Sequence, residues 1–412
     1  MAAPFFQNRV FFQTSFCIPD SISEEQLQSA VDEAVKRRFH VFCTLIDEEK
    51  GCAYCSDEKK RLLLEKMKGH SITDIHNAII AHCAEDKRNA FRLFWGEDEE
   101  DTHYLIIHAH HGVADGFMIT SFTREVFHIT QGSSCPDQFV FKLLDPIRNE
   151  ESLAFPASWM VDGKADVAEG KRICEKYIHK ATVYPICQNS EDAFVNAERV
   201  IDASVCKRAV SLAKSMGSHY ACGGCIHGML VYCFLRAMLH AEKLPHSGSM
   251  TMNTIVNMRR YWSSPGSRRA RLQCVEVSPN LFFSSFPTTV SVEDLLQHAE
   301  NCATIQKSVT AALADGLPLA LSFEDTRSYD EEEIAMEISN LGLHPKDCFT
   351  RRLITQKVYA EGGSKSVTLV VWMDLESRFH FCVSCVGSFM SEERVQRLLD
   401  SMEHEIFELG VV

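Results

Sequence analysis

The sequence predicts an α/β protein made of two α/β sandwich halves, with the functional site expected between them, where pockets are common. Three observations lead there. Strand-like and helix-like periodicities are mixed in both halves, each giving four or more strands and two or more helices. A region without sustained periodicity, about Gln131 to Gln188, is punctuated by Pro136, Pro146, Pro156 and Pro185 and reads as a crossover. One stretch, His110-His111-Gly112-Val113-Ala114-Asp115-Gly116, stands where a strand pattern stops and a helix pattern begins. The expected boundaries are 1–145 for the first half, 146–192 for the crossover and 193–412 for the second half.

Composition narrows the function classes. A chain of 412 residues can bury a large core, and 45% hydrophobic with 24% charged residues is globular. A formal charge of −14 argues against nucleic acid and anionic membranes as partners, since both need a basic footprint. No apolar run approaches the about 18 residues of a membrane span. Met1 to Pro19 lacks the pattern of a secretory leader, so a cytoplasmic protein is expected. Seventeen cysteines, an odd count in a long chain, read as reduced thiols acting as small hydrophobes. Three pairs have CxxC spacing (Cys52/Cys55, Cys222/Cys225, Cys382/Cys385). Zinc would need two such pairs together, or one with histidines.

The elements follow in order. Residues 10–18 are strand-like and stop at Pro19. Ser23 with Gln26 forms a capping box, and Leu27, Ala30, Val31, Ala34 and Val35 share one helical face. Val41 to Ile46 and Ala53 to Cys55 read as short strands, and Ile72 to His82 as a helix. Phe91 to Trp95 and Tyr104 to Ala109 read as a hairpin across an acidic turn, and Phe117 to Ile129 as a helix. After the crossover come a strand at 193–201, a helix from Ser204 to Met216, and a helix from Cys225 to Ala241 that is apolar nearly all round and so buried. Met250 to Met258, Gln273 to Ser278 and Leu281 to Phe286 are strand-like. Val292 to Leu313 reads as one long helix. Strands near Leu353 to Val358, Val367 to Asp374 and Phe379 to Val386 lead to a closing helix, Glu392 to Phe407.

In the opening stretch, strand alternation turns Tyr104, Ile106, His108 and His110 one way, and Leu105, Ile107, Ala109 and His111 the other. Histidine suits proton transfer near neutral pH. Asp115 could orient or charge-balance the site, and Gly116 would allow close approach or an unusual backbone angle. From these residues alone two other readings stay open: packed, hydrogen-bonded strand histidines, and a metal site from His108, His110 and His111 that lacks a placed carboxylate.

His110 to Gly116 matches HHxxxDG, the signature of the coenzyme-A-dependent acyltransferase superfamily. That group includes chloramphenicol acetyltransferases, plant BAHD acyltransferases, alcohol acetyltransferases and condensation domains. Looser patterns add to the resemblance. Ser23 to Arg38 looks like the family's first helix, Asn253 to Arg260 like its strand ending in asparagine and arginine, Ser278 to Phe286 like its tunnel-lining strand, and Ile338 to Gly342 like its Ser-Asn-x-Gly turn. The resemblance implies two chloramphenicol-acetyltransferase-like halves with a tunnel between them. It implies that His111 is the general base for an acceptor hydroxyl or amine attacking a thioester, with no metal. His110 and Gly116 would be structural. Asp115 would pair with an arginine, with Arg259 the candidate, although Arg259 also reads as a solvated loop charge beside Arg260, Arg268, Arg269 and Arg271. That cluster could instead meet the donor's phosphates. Asn280, Ser284 and Ser285 are candidates for the oxyanion or tunnel position.

The expected donor is acyl-CoA as co-substrate, acetyl-CoA in the first instance, with no tightly bound cofactor. The expected acceptor is a small-molecule alcohol or amine, and a monomer is expected. The DFGWG motif of plant BAHD enzymes is absent, which favours the alcohol-acetyltransferase type. Two alternatives remain: a stand-alone condensation enzyme with a carrier-bound donor, and a non-catalytic binding homologue.

Overall fold

The computed structural model describes residues 10–47, 52–55, 61–84, 88–136, 139–143, 153–162, 164–166, 168–177, 194–219, 224–244, 248–262, 276–279, 283–297, 299–323, 335–358, 366–386 and 390–411. The chain forms two compact units. The first comprises Met1–Ala154, Trp262–Phe282 and His344–Ser364, and the second Phe155–Tyr261, Phe283–Leu343 and Lys365–Val412. Two segments of the expected second half, 262–282 and 344–364, therefore belong with the first unit.

The first unit opens with β1 (Val10–Ile18), α1 (Glu24–Arg37), β2 (Thr44–Asp47), β3 (Cys52–Cys55), β4 (Leu64–Lys68), α2 (Ile72–Cys83), β5 (Phe91–Glu97), β6 (His103–His110), α3 (Gly116–Thr130) and β7 (Phe139–Lys142). The second begins with β8 (Met160–Val161), β9 (Lys164–Ala165), α4 (Ala168–Tyr177), β10 (Phe194–Ile201), α5 (Ala203–His219), α6 (Ile226–Ala241) and β11 (Ser249–Asn257). The chain returns to the first unit as β12 (Glu276–Pro279). It re-enters the second as β13 (Phe283–Ser291), α7 (Val292–Gln297), α8 (Asn301–Asp315), α9 (Leu317–Phe323) and β14 (Ala335–Leu343). The strand β15 (Thr350–Val358) is given back to the first unit. The chain then closes the second with β16 (Ser366–Met373), β17 (Phe379–Val386) and α10 (Glu392–Val411).

The first unit's main sheet has the order β15-β1-β6-β5-β4, antiparallel except for β4 beside β5. Alternation sorts its faces. Phe12, Phe16, Leu105, Ile107, Ala109, Phe91 and Leu93 join one core with the apolar stripes of α1 and α3. Helix α1 starts at the expected capping box, with Ser23 and Gln26 exchanging side-chain and backbone bonds. Helix α2 lies on the opposite face, where Ile75 closes on Gly96 and the His76 Nδ1 is 2.9 Å from Thr355 Oγ1.

The second unit's sheet has the order β10-β17-β16-β14-β11-β13. Its core joins Met250, Met252, Ile338, Leu369, Val371, Phe381 and Val383 to α5, α6 and α10. Helix α6 is buried nearly all round, as its sequence predicts. It lies so close to α8 that a Cβ on Gly228 would stand 2.2 Å from the Cys302 carbonyl oxygen.

Some elements differ from expectation. Val41 to Ile46 is not one strand: His40–Cys43 is a 3₁₀ turn, and only Thr44–Asp47 is extended. Val41, Phe42 and Cys43 are all buried, so the stretch has no solvent face for a strand to alternate against. The predicted helix from Val292 to Leu313 is two helices, Val292–Gln297 and Asn301–Asp315, and the Asn301 side chain donates to the Asp294 carbonyl. Ile338 to Gly342 lies inside β14 rather than forming a separate turn. The turn character survives as a bulge between Asn340 and Leu343, with Gly342 at φ +73° and its N–H on Asn340 Oδ1. Strand β4 and helix α9 carried no strong periodicity and were not expected. Among the described residues no helix is long and apolar enough to cross a membrane.

Candidate active site

The site is built where β6 ends. His110 is its last residue and stands opposite Phe11 of β1. Its N–H donates to the Ala90 carbonyl at 2.8 Å, and that of His111 to the Val10 carbonyl at 2.8 Å. Both histidine backbones are thus fixed by neighbouring strands before the chain turns.

The two side chains leave on opposite faces, as alternation predicts. The His110 ring meets Phe11 edge-on at 4.8 Å, and His108 stacks on the same ring at 4.8 Å. His111 lies against Phe12, 5.1 Å between ring centroids, on the α1/α3 face. A single metal site from His108, His110 and His111 is excluded by this division. Among the described residues no group of three His, Cys, Asp or Glu is placed to hold a metal ion, and no disulfide joins two cysteines.

His110 shapes the turn. Its Nδ1 accepts from the Gly112 N–H at 2.9 Å, and its carbonyl accepts from Val113 N at 3.0 Å. Burial first, and the neighbouring His111 second, lower its pKa to about 4, so the ring is neutral and keeps Nδ1 as an acceptor. The chain then runs through buried Val113 and Ala114 to Asp115.

Asp115 is the N-cap of α3. Its Oδ1 accepts from Met118 N at 3.0 Å, and its carbonyl accepts from Ile119 N at 3.1 Å. Gly116, the first helical residue, is not among the glycines with positive φ, so no unusual backbone angle requires it. Its carbonyl accepts from Thr120 Oγ1 at 2.8 Å.

His111 retains some exposure, but its Nδ1 is shielded from solvent. Its pKa lies below the ordinary value. Burial dominates, opposed by its own backbone carbonyl and by the Asp115 carboxylate, both of which favour the charged ring. The imidazole is therefore neutral at neutral pH and able to accept a proton.

Of the other sequence-predicted residues, Arg259, Ser284 and Ser285 belong to the second unit. Arg259 stands in a 3₁₀ turn after β11, where its N–H and Nη1 reach Asn257 Oδ1 at 3.0 and 3.3 Å. Asp115 and Arg259 thus belong to different units. Ser284 and Ser285 are adjacent on β13 and point to opposite faces. Ser284 is buried, and its Oγ has no hydrogen-bond partner among the described residues. Asn280, Arg268, Arg269 and Arg271 lie outside the described residues, as does Cys222.

Two features near the motif were not foreseen. On the α2 face, Gln13 of β1 stands between His108 of β6 and Thr355 of β15, and Gln13 Nε2 lies 3.2 Å from His108 Nδ1. Burial lowers the pKa of both His76 and His108 to about 3, with Arg92 adding to the shift at His108. On the other face, Arg351 of β15 reaches α3, where its Nη2 donates to Thr120 Oγ1 at 2.7 Å. Alternation could have put Gln13 and His108 on one face, but nothing in the sequence pairs β1 with β15.

No protein-family model and no curated protein matches the sequence. Solved structures do. The chain is similar to the trichothecene 15-O-acetyltransferase TRI3 of Fusarium sporotrichioides, with TM-score 0.67 and 14% identity, covering 99% of this chain and 94% of that one. It is similar to the condensation domain of the monacolin K polyketide synthase MokA, with TM-score 0.64 and 11% identity over 99% and 93% of the two chains. It is also similar to VibH, a non-ribosomal peptide synthetase condensation enzyme, with TM-score 0.61 and 14% identity over 98% and 91%. The chain thus has the chloramphenicol-acetyltransferase-like fold of acyltransferases and condensation domains along nearly its whole length. At these identities the likeness is one of fold.

Proposed function

We propose that this protein is an acyltransferase that moves an acyl group from a thioester, acyl-CoA, to a hydroxyl or amine of a small molecule, with His111 as general base. The observation that carries the reading is the state of His111. A neutral imidazole stands at the end of a fixed strand, with its Nδ1 shielded and a carboxylate near enough to favour its protonated form.

Nε2 takes the proton from the acceptor as its oxygen or nitrogen attacks the thioester carbonyl. The Asp115 field stabilises the imidazolium that results. Collapse of the tetrahedral intermediate breaks the C–S bond, and the leaving thiolate recovers the proton from His111. A positioned base of this kind contributes about 10²–10⁴ in rate.

The test is thiol release from acyl-CoAs of increasing chain length against a panel of alcohols and amines. Acceptor-dependent release supports the reading. Absence of release with any pair, or equal transfer by His111→Ala, contradicts it. The likeness to condensation enzymes favours one second reading, in which the donor is an acyl group on a carrier protein. Transfer from a loaded carrier but not from free acyl-CoA selects it.

A further inference from the structure

We propose that Arg351 is a positioning residue for the base: through Thr120 it holds the first turn of α3, and so sets Asp115 against His111. The inference rests on the reading of His111 as the base and goes beyond the motif itself.

The geometry begins in β15. Regular antiparallel pairing runs from Val10↔Val358 to Ser15↔Leu353, and alternation would then place Arg352 opposite Phe16. The register shifts at that point and Phe16 pairs with Arg351 instead. A bulge of this kind leaves one residue unpaired and re-aims the next side chain. Here it turns Arg351 onto the face that carries α3, with its guanidinium 5.5 Å over the Phe16 ring. Arg351 is buried, only 4% exposed, so its orientation is held by packing.

A short relay follows. Arg351 Nη2 donates to Thr120 Oγ1 at 2.7 Å, and Thr120 Oγ1 donates to the Gly116 carbonyl at 2.8 Å. Gly116 is bonded to Asp115, the N-cap. One turn further along, the same segment grips α3 again. Cys348 Sγ reaches Thr123 Oγ1 at 3.3 Å, and Asp347 accepts from Arg124 Nε at 3.0 Å and lies 3.1 Å from His128 Nε2. Thr120, Thr123, Arg124 and His128 share one side of the helix. The segment entering β15 therefore fixes the rotation and advance of α3 along this seam, with Arg351 nearest the motif.

The placement of Asp115 matters because its carboxylate favours the charged form of His111. If the first turn of α3 drifts, that support weakens, the His111 pKa falls further, and the imidazolium formed during transfer is less stable. A displacement of about 1 Å in a catalytic group can cost about 10²-fold in rate.

Three variants of the full chain test this: Arg351→Met, Arg351→Lys and Thr120→Val. The readouts are the His111 titration by NMR of the ring, without substrate, and kcat and KM for acyl transfer, each corrected for folded fraction. Arg351→Met and Thr120→Val are expected to move the His111 titration to lower pH and to reduce kcat about 10- to 100-fold at little change in KM. Arg351→Lys, which keeps a donor and the charge, restores part of both. A folded Arg351→Met with the wild-type titration overturns the proposal, as does a kcat loss that only follows lost folded protein. If Arg351→Met does not fold, Thr120→Val decides by the same two readouts. If the wild-type protein transfers no acyl group, the transferase reading fails, and the titration alone judges the positioning of Asp115.

Discussion

Acid should destabilise the first unit through His76, and one substitution isolates the effect. His76 is buried on the α2 face, and its pKa is lowered to about 3 by burial. In the unfolded chain the ring titrates near about 6.5. The sign follows from proton uptake. Between those values the unfolded state binds the proton and the folded state does not, so stability is complete above about pH 6.5 and is lost as pH falls below it. At pH 5.5 the unfolded chain gains RT ln(1 + 10), about 1.4 kcal/mol, and the folded state gains almost nothing. The assay is urea unfolding of the wild type and of His76→Gln at pH 7.5 and 5.5. Carboxylates and the other histidines titrate in both proteins and cancel in the double difference. The variant should start less stable, because Thr355 Oγ1 loses its ring partner, yet lose about 1.4 kcal/mol less between the two pH values. An equal loss in both proteins would refute the argument, since His76 would then titrate in the folded state as it does in the unfolded one.

Other outcomes follow from the same geometry. Asp115→Ala should cost about 1 kcal/mol, the usual worth of an N-cap, in a urea titration. Asp115→Asn keeps a capping oxygen and should stay near wild-type stability while the His111 titration moves to lower pH; an unmoved titration would mean that the carboxylate does not act on the ring. Gly228→Ala places a methyl 2.2 Å from the Cys302 carbonyl oxygen and should destabilise the second unit by about 1–3 kcal/mol, read as lower protection of α6 and α8 in hydrogen exchange. The pH–rate profile should keep its plateau somewhat below about pH 6.5 and fall on the acid side, because the lowered pKa of His111 keeps the base free to that point.

Local signals were legible in the sequence. The Ser23 capping box, the stripe of α1, the β5–β6 hairpin and the strand end at His110 are each set by neighbours within a few residues, and the structure places them as read. Alternation also sorted His110 from His111, because β6 is regular up to its last residue. Long-range pairing left no local trace. Strand β15 follows the second unit's β14 in the chain, yet pairs with β1, more than three hundred residues away. The bulge that aims Arg351 depends on that pairing, so neither it nor the relay through Thr120 could be read from periodicity. The 3₁₀ turn at His40–Cys43 was hidden for another reason. Three buried apolar residues in a row, Val41, Phe42 and Cys43, carry none of the polar–apolar rhythm that separates strand from helix.

The proposed role of His111, taking the proton from an acceptor in acyl transfer, leads to one decisive comparison. Thiol release from acyl-CoA with an accepted alcohol or amine is measured for the wild type and for folded His111→Ala across pH. Acceptor-dependent release is expected of the wild type, with an acid limb set by the His111 titration, and a loss of about 10²–10⁴ in the variant without that limb. Equal transfer by both proteins, or an acid limb that persists in His111→Ala, would contradict that role.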